Sequence, residues 1–158
     1  MHTAEIVYLA GLALAVMAVV SSTSFVRIAS ESMAPTLVVD DRLLVLRRSV
    51  LTRRCPARGQ VVVFTGGADG ADGADGRRMV KRVAATGGDS LLVGGGSPAD
   101  GALGHGKRVD VPPGGIFVLG DNRRVSHDSR DYGCIGARQV TGRALLVVWP
   151  PRRVRVVR

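Results

Sequence analysis

Gln60-Val61-Val62-Val63-Phe64-Thr65 and Met79-Val80-Lys81-Arg82-Val83-Ala84-Ala85 are the two stretches that decide the fold. Each is short, rich in Val and bounded by Gly, Pro or charge, which is the pattern of a strand. On the second, alternation sends Val80 and Arg82 to one face and Met79, Lys81 and Val83 to the other. Outward from this pair, Leu43–Arg48, Ser90–Val93, Arg108–Val111, Ile116–Leu119 and Arg143–Trp149 read as further strands. With 21 glycines and 4% aromatic residues, the chain suits short strands and turns better than a helical bundle. Gly66–Gly76 carries Gly-Ala-Asp three times. It lacks the nonapeptide period of calcium-binding β-rolls and reads as a solvated loop, as does Gly94–Gly106. The expected fold is mainly β, a small antiparallel β-barrel or sandwich.

Toward the N-terminus, Ile6–Val20 is an unbroken apolar run, and no charge follows Glu5 until Arg27. A spanning helix needs about 20 mostly apolar residues, and Ile6–Val26 supplies them. A cleaved signal peptide wants a positively charged start, and no Lys or Arg precedes Ile6. The expected organisation is a transmembrane anchor over 1–27, a β-rich domain over 28–150 and a basic C-terminal tail over 151–158. Arg27, on the far side of the run, would by charge alone keep the domain in the cytoplasm. Long domains cross largely regardless of charge, so function has to decide the face.

The formal net charge is +9. The arginines are scattered, with no helical stripe, zinc-finger spacing or aromatic platform, which argues against a nucleic-acid partner. Attraction to anionic lipid headgroups accounts for the charge beside a membrane segment. Cys55 and Cys134 lack C-x-x-C spacing, so no metal or redox site is expected. A disulfide and two free, partly buried thiols both remain open.

Three segments carry chemistry. Ser30-Glu31-Ser32-Met33-Ala34-Pro35-Thr36-Leu37 begins a few residues after the anchor. Pro35 restricts its own φ and pushes Ala34 toward extended geometry, stiffening the chain beside a hydroxyl. By itself the segment also fits a Ser-rich surface loop. On the strand 79–85, Lys81 shares a face with Met79 and Val83, and a desolvated lysine loses its proton more readily. A lysine at a strand edge also reaches water by snorkelling. The third segment is Gly120-Asp121-Asn122-Arg123-Arg124-Val125-Ser126-His127-Asp128-Ser129-Arg130. Its polar density just after an apolar strand calls for many hydrogen-bond partners. His127 is the one realistic histidine for a Ser-His-Asp triad.

In order, SESMAPTL after an apolar span, RGQVVVF at 58–64, VKRV at 80–83 with GGD at 87–89, and GDNRRVSHDSRDYG at 120–133 resemble the bacterial type I signal peptidase family. The likeness runs from the anchor to about Trp149. Gln60 departs from the family's usual Asp, and Thr86-Gly87-Gly88 lacks a frequent Pro.

The resemblance implies a membrane-bound serine endopeptidase without metal or cofactor. It would remove N-terminal signal peptides from exported preproteins. Ser32 would be the nucleophile and Lys81 the general base. The Ser32 N–H and the Ser30 hydroxyl would form the oxyanion hole, and Ser126 would orient Lys81. Asp121, Arg82, Asp128 and Arg130 would support the site by ion pairing. Met33, Leu37, Met79 and Val80 would line shallow pockets for small side chains. Signal peptides and membrane lipids are the implied partners. The implied place is the plasma membrane, single-pass, with the catalytic domain on the extracytoplasmic face. Other readings are a maturation protease dedicated to one exported substrate, a self-cleaving repressor of similar chemistry and a non-catalytic membrane-anchored binding module.

Overall fold

A computed structural model describes residues 2–48, 55–66, 78–94 and 106–158. Most of the Gly-Ala-Asp repeat and of the 94–106 loop lies outside the described residues.

Helix α1 spans His2–Ser22, 21 residues and so about 31 Å by the α-helical rise. Its stretch Glu5–Ser22 is unburied by the rest of the protein, and is long and apolar enough to cross a membrane. The apolar run continues to Val26, but the helix does not. Thr23–Arg27 forms strand β1, paired antiparallel with β2 (Arg42–Arg47). The Ser21 and Thr23 hydroxyls donate to the carbonyls of Ala18 and Val19, a competition with helical bonding that Ser and Thr favour at helix ends. The helix thus ends at Ser22, short of the anchor bound expected at residue 27, because hydropathy does not distinguish a span from the strand that continues it.

The remaining elements are β3 (Val61–Thr65), β4 (Arg78–Thr86), β5 (Ser90–Val93), β6 (Lys107–Asp110) and β7 (Gly115–Leu119). They are followed by α2 (Ser129–Tyr132), β8 (Ile135–Gly136), β9 (Val140–Trp149) and β10 (Arg155–Val156). Among the described residues the main sheet runs β1-β2-β9-β3-β4-β7-β8, with β10 on β9. A β5-β6 hairpin forms a separate sheet. The described pairings are antiparallel.

The unbroken apolar run of β3 has a simple cause: both its faces are covered. Val61 and Val63 join a core with Met33, Leu37, Leu43 and Val147. Val62 and Phe64 join a second core with Val83, Ile116 and Val118. Each such side chain contributes about 1.5–3 kcal/mol on full burial. Pro151–Arg158 is not a loose tail. Pro151–Arg153 forms a 3-10 turn, β10 pairs with β9, and Val157 packs on the first core.

Candidate active site

Ser32 sits in a 3-10 turn, Glu31–Met33, between β1 and β2. Met33 and Leu37 plug the first core and pin the turn from below. The Leu37 N–H donates to the Met33 carbonyl at 2.8 Å, which turns Leu37 inward. Ser32 is 8% exposed, and its Oγ lies 3.2 Å from the Ser30 Oγ.

Lys81 lies on β4 directly opposite Val62 of β3 and is 5% exposed. The alternation expected from the sequence holds: Met79 and Val83 pack with the second core, whereas Val80 packs with the first. Among the described residues Lys81 forms no ion pair. Burial pulls its pKa below the usual lysine value; Asp128 opposes this and Arg130 reinforces it.

The segment after β7 closes the site. Gly120 is there because nothing larger fits. A Cβ at this position would stand 2.1 Å from the Ser126 Oγ and 2.5 Å from the Ser32 carbonyl oxygen. The Asn122 N–H donates to that same carbonyl at 3.0 Å, so the segment is tied to the serine turn. The Ser126 hydroxyl is buried without a hydrogen-bond partner among the described residues.

Asp128 holds the segment in shape. Its fully buried carboxylate accepts from the Gly120 N–H at 2.9 Å and from the Arg130 Nε at 2.8 Å, and it caps α2. Burial works to raise its pKa, yet Arg130 and the Gly120 N–H bring it below the ordinary carboxylate range. Arg130 reaches on to the carbonyls of Arg123 and Ser126. Arg82, beside Lys81 but on the opposite face, grips Asp121 with two bonds of 2.8 and 2.6 Å. For Asp121 too, burial is outweighed by hydrogen bonds from Arg82 and Thr36.

A groove of about 540 Å³ runs over these groups, bordered by Val26–Met33 on one side and Arg78–Lys81 on the other. Each border includes strand: Val26–Arg27 of β1 on one side and Arg78–Lys81 of β4 on the other. Among the described residues β1 pairs only with β2, and Arg78–Lys81 pairs only with β3, because β7 joins β4 from Arg82 onward. Ser32 and Lys81 both open into the groove.

The match to the family described as signal peptidase, peptidase S26, covers residues 2–97 and 96–149. The chain belongs to the signal peptidase family, peptidase S26. The peptidase is 35% identical over 144 residues to signal peptidase I of Leptolyngbya laminosa, covering 80% of this chain and 69% of that one. It is 34% identical over 140 residues to probable signal peptidase I-2 of Synechocystis, covering 80% of this chain and 63% of that one. A crystal structure of a signal peptidase I from Enterococcus faecalis V583 aligns with a TM-score of 0.43 at 22% identity, over 57% of this chain and 97% of that one. The signal peptidase is accordingly a serine endopeptidase with an apolar N-terminal helix.

Within this peptidase Ser30, Ser32 and Lys81 line one groove, Ser126 meets the Ser32 carbonyl at Gly120, and the pairs Arg82–Asp121 and Arg130–Asp128 stand outside the groove lining. Met33, Met79 and Val80 border the groove. Leu37, expected there as well, is fully buried beneath the serine turn and does not reach it. His127 lines the same groove at its rim, its side chain 77% exposed and its Nδ1 3.3 Å from Asp131. Cys55 and Cys134 are both free thiols. The sequence reading gave no role to Gly120, Asn122 or Asp41. The close approach at Gly120 is signalled only by the Gly after an apolar strand, and the other two have no local signal.

Proposed function

We propose that this peptidase cleaves signal peptides through a Ser32–Lys81 dyad at the floor of the groove, on the extracytoplasmic side of the membrane. The observation that carries the reading is a buried lysine without an ion-pair partner opening into the same groove as a buried serine. The neutral Lys81 amine takes the Ser32 proton as Oγ attacks the scissile carbonyl carbon. The resulting ammonium then protonates the leaving amine, giving a Ser32 ester and a freed N-terminus. Water, deprotonated by Lys81, hydrolyses that ester and restores the serine. The Ser32 N–H and Ser30 hydroxyl are suited to the developing oxyanion, Ser30 being already within 3.2 Å of the nucleophile oxygen. Ser126, buried beside the Asp128 carboxylate, is placed to accept or donate toward the amine.

The substrate segment fits as an added strand, since the edges of β1 and β4 that flank the groove are unpaired among the described residues. Shallow borders of Met33, Met79 and Val80 suit the small residues that end signal peptides. Lipid contact is supported by an apolar row on the outer sheet face beside α1. Cross-strand partners Phe25, Leu44, Leu146 and Val156 run across β1, β2, β9 and β10, with Phe25 67% and Val156 58% exposed. Trp149, at the end of this face, has the Arg42 guanidinium stacked 5.9 Å from its ring. This face suits a bilayer interface.

The test is to incubate the detergent-solubilised protein and its Ser32→Ala variant with a preprotein, then sequence the new N-terminus. Cleavage after an Ala-x-Ala end by the wild type alone is expected. Equal cleavage by Ser32→Ala would sink the assignment. External protease applied to intact spheroplasts should degrade the catalytic domain; protection until lysis would place it on the other face.

A further inference from the structure

The turn bearing Ser32 is anchored at both ends on one buried carboxylate residue. Residues 28–41 connect β1 to β2, and Ile28 and Val38 bracket the part that carries Ser32. The Ile28 N–H donates to the Asp41 carbonyl at 2.9 Å, and the Val38 N–H donates to the Asp41 carboxylate at 3.0 Å. That carboxylate is fully buried and lies far along the chain from its partner. Arg153 grips it with Nε at 2.8 Å and a second nitrogen at 3.1 Å. Arg155, two residues on, donates to the Thr36 carbonyl within the same loop. The Arg158 carbonyl accepts from Arg82 at 2.7 Å, next to Lys81. Val157, between these arginines, is packed into the core that holds Met33 and Leu37.

We propose that the segment Pro150–Arg158 is a clamp, and that Arg153, acting through Asp41, is a positioning residue that sets the Ser32 turn against Lys81. The proposal rests on the Ser32–Lys81 reading. A two-bond guanidinium–carboxylate fork restricts orientation as well as distance, which a single charge does not. Asp41 transmits that restriction to Ile28 and Val38, the two ends of the loop. Arg153 and Asp41 do not themselves line the groove, so losing their fork acts on the chemical step more than on binding.

The experiment compares wild type, Ser32→Ala, Arg153→Ala, Arg153→Lys and Val109→Ala, all full-length, on one preprotein, with Tm measured for each. Val109, on β6, packs the β5-β6 hairpin against Ala85, Val111, Phe117 and Leu119, away from the groove, and supplies a loss of stability without a change of site. Arg153→Ala is expected to lower kcat by about 10²-fold at nearly unchanged KM, the scale of a small misplacement of a reacting group. Arg153→Lys, which keeps the charge but not the fork, should fall between it and the wild type. Val109→Ala should lose Tm and keep its kcat. A kcat for Arg153→Ala no lower than that of Val109→Ala would overturn the clamp. Should Arg153→Ala fail to fold, Arg153→Lys decides: a reduced kcat at wild-type KM supports the clamp and a wild-type kcat overturns it. If the wild type itself fails to cleave, or Ser32→Ala cleaves equally, the dyad reading falls and the clamp with it. A clamp failure beside an active wild type and an inert Ser32→Ala leaves the dyad standing.

Discussion

Lys81 and Arg82 are consecutive cations on one strand, and the protein treats them oppositely. Arg82 points to the side where Asp121, the Gly59 carbonyl and the Arg158 carbonyl all receive its hydrogens. Its charge is locked in and used to hold two loops. Lys81 points into an apolar face, without an ion pair among the described residues, and burial favours its neutral form. Arg130 and Arg153 follow the Arg82 pattern, each gripping a fully buried aspartate. The difference teaches that a buried cation is pushed toward its neutral form where no carboxylate pairs with it, while the nearby carboxylates pair with arginines instead.

The harshest break of this comparison is Lys81→Arg, which makes the two positions alike. Arg stays charged at accessible pH. Cleavage should fall by about 10³-fold or more while the fold persists, as read by preprotein turnover and circular dichroism. In the wild type the rate should rise with pH as Lys81 loses its proton, with the midpoint below that of an ordinary lysine. A variant near wild-type rate would leave Lys81 without its role and turn attention to His127.

Next in size is Gly120→Ala, which attacks the joint between both regions. The added methyl would displace Ser126 and the Ser32 carbonyl together. We expect a rate loss of about 10²-fold and destabilisation of about 1–3 kcal/mol by denaturant titration. Wild-type behaviour would mean that this contact does not set the site.

Arg82→Lys keeps the charge and loses the fork on Asp121. About a tenfold loss of kcat is expected, roughly 1.4 kcal/mol, and no loss at all would show that charge alone suffices.

The smallest effect sharpens the comparison from the side of stability. The Lys81 pKa is lower folded than unfolded, so between those two values the unfolded chain binds more protons. Stability of the wild type then rises with pH across that window, which ends at about 10.4. Lys81→Met should lack this slope and be more stable at neutral pH by about 1 kcal/mol, a few degrees in Tm. A variant less stable than the wild type at neutral pH would show that Lys81 is not held at a cost.

Much of this was legible along the chain. Apolar β3, alternating β4 and the Gly-punctuated β5 to β7 announced themselves, because strand periodicity is local. The Asp128–Arg130 pair was legible too, being two residues apart. β1 was hidden inside an apolar run that continues α1, and β10 inside a charged stretch. Leu37 was expected at the groove and lies under it, since a turn bond to Met33 redirects it. The free thiols of Cys55 and Cys134 follow from placement, which spacing does not give.

What the sequence by itself determined is the kind of parts: an apolar helix, a β-domain, and serine, lysine and arginine–aspartate groups in an order that names a family. What only the tertiary structure decided is which charges meet. Arg153 finds Asp41 and Arg82 finds Asp121 across long stretches of chain, and among the described residues Lys81 is left without such a partner. The physical reason is that hydropathy and periodicity are written in neighbouring residues. An ion pair, a close approach at a glycine and the desolvation of an amine depend instead on which strands the packing of the sheet brings side by side.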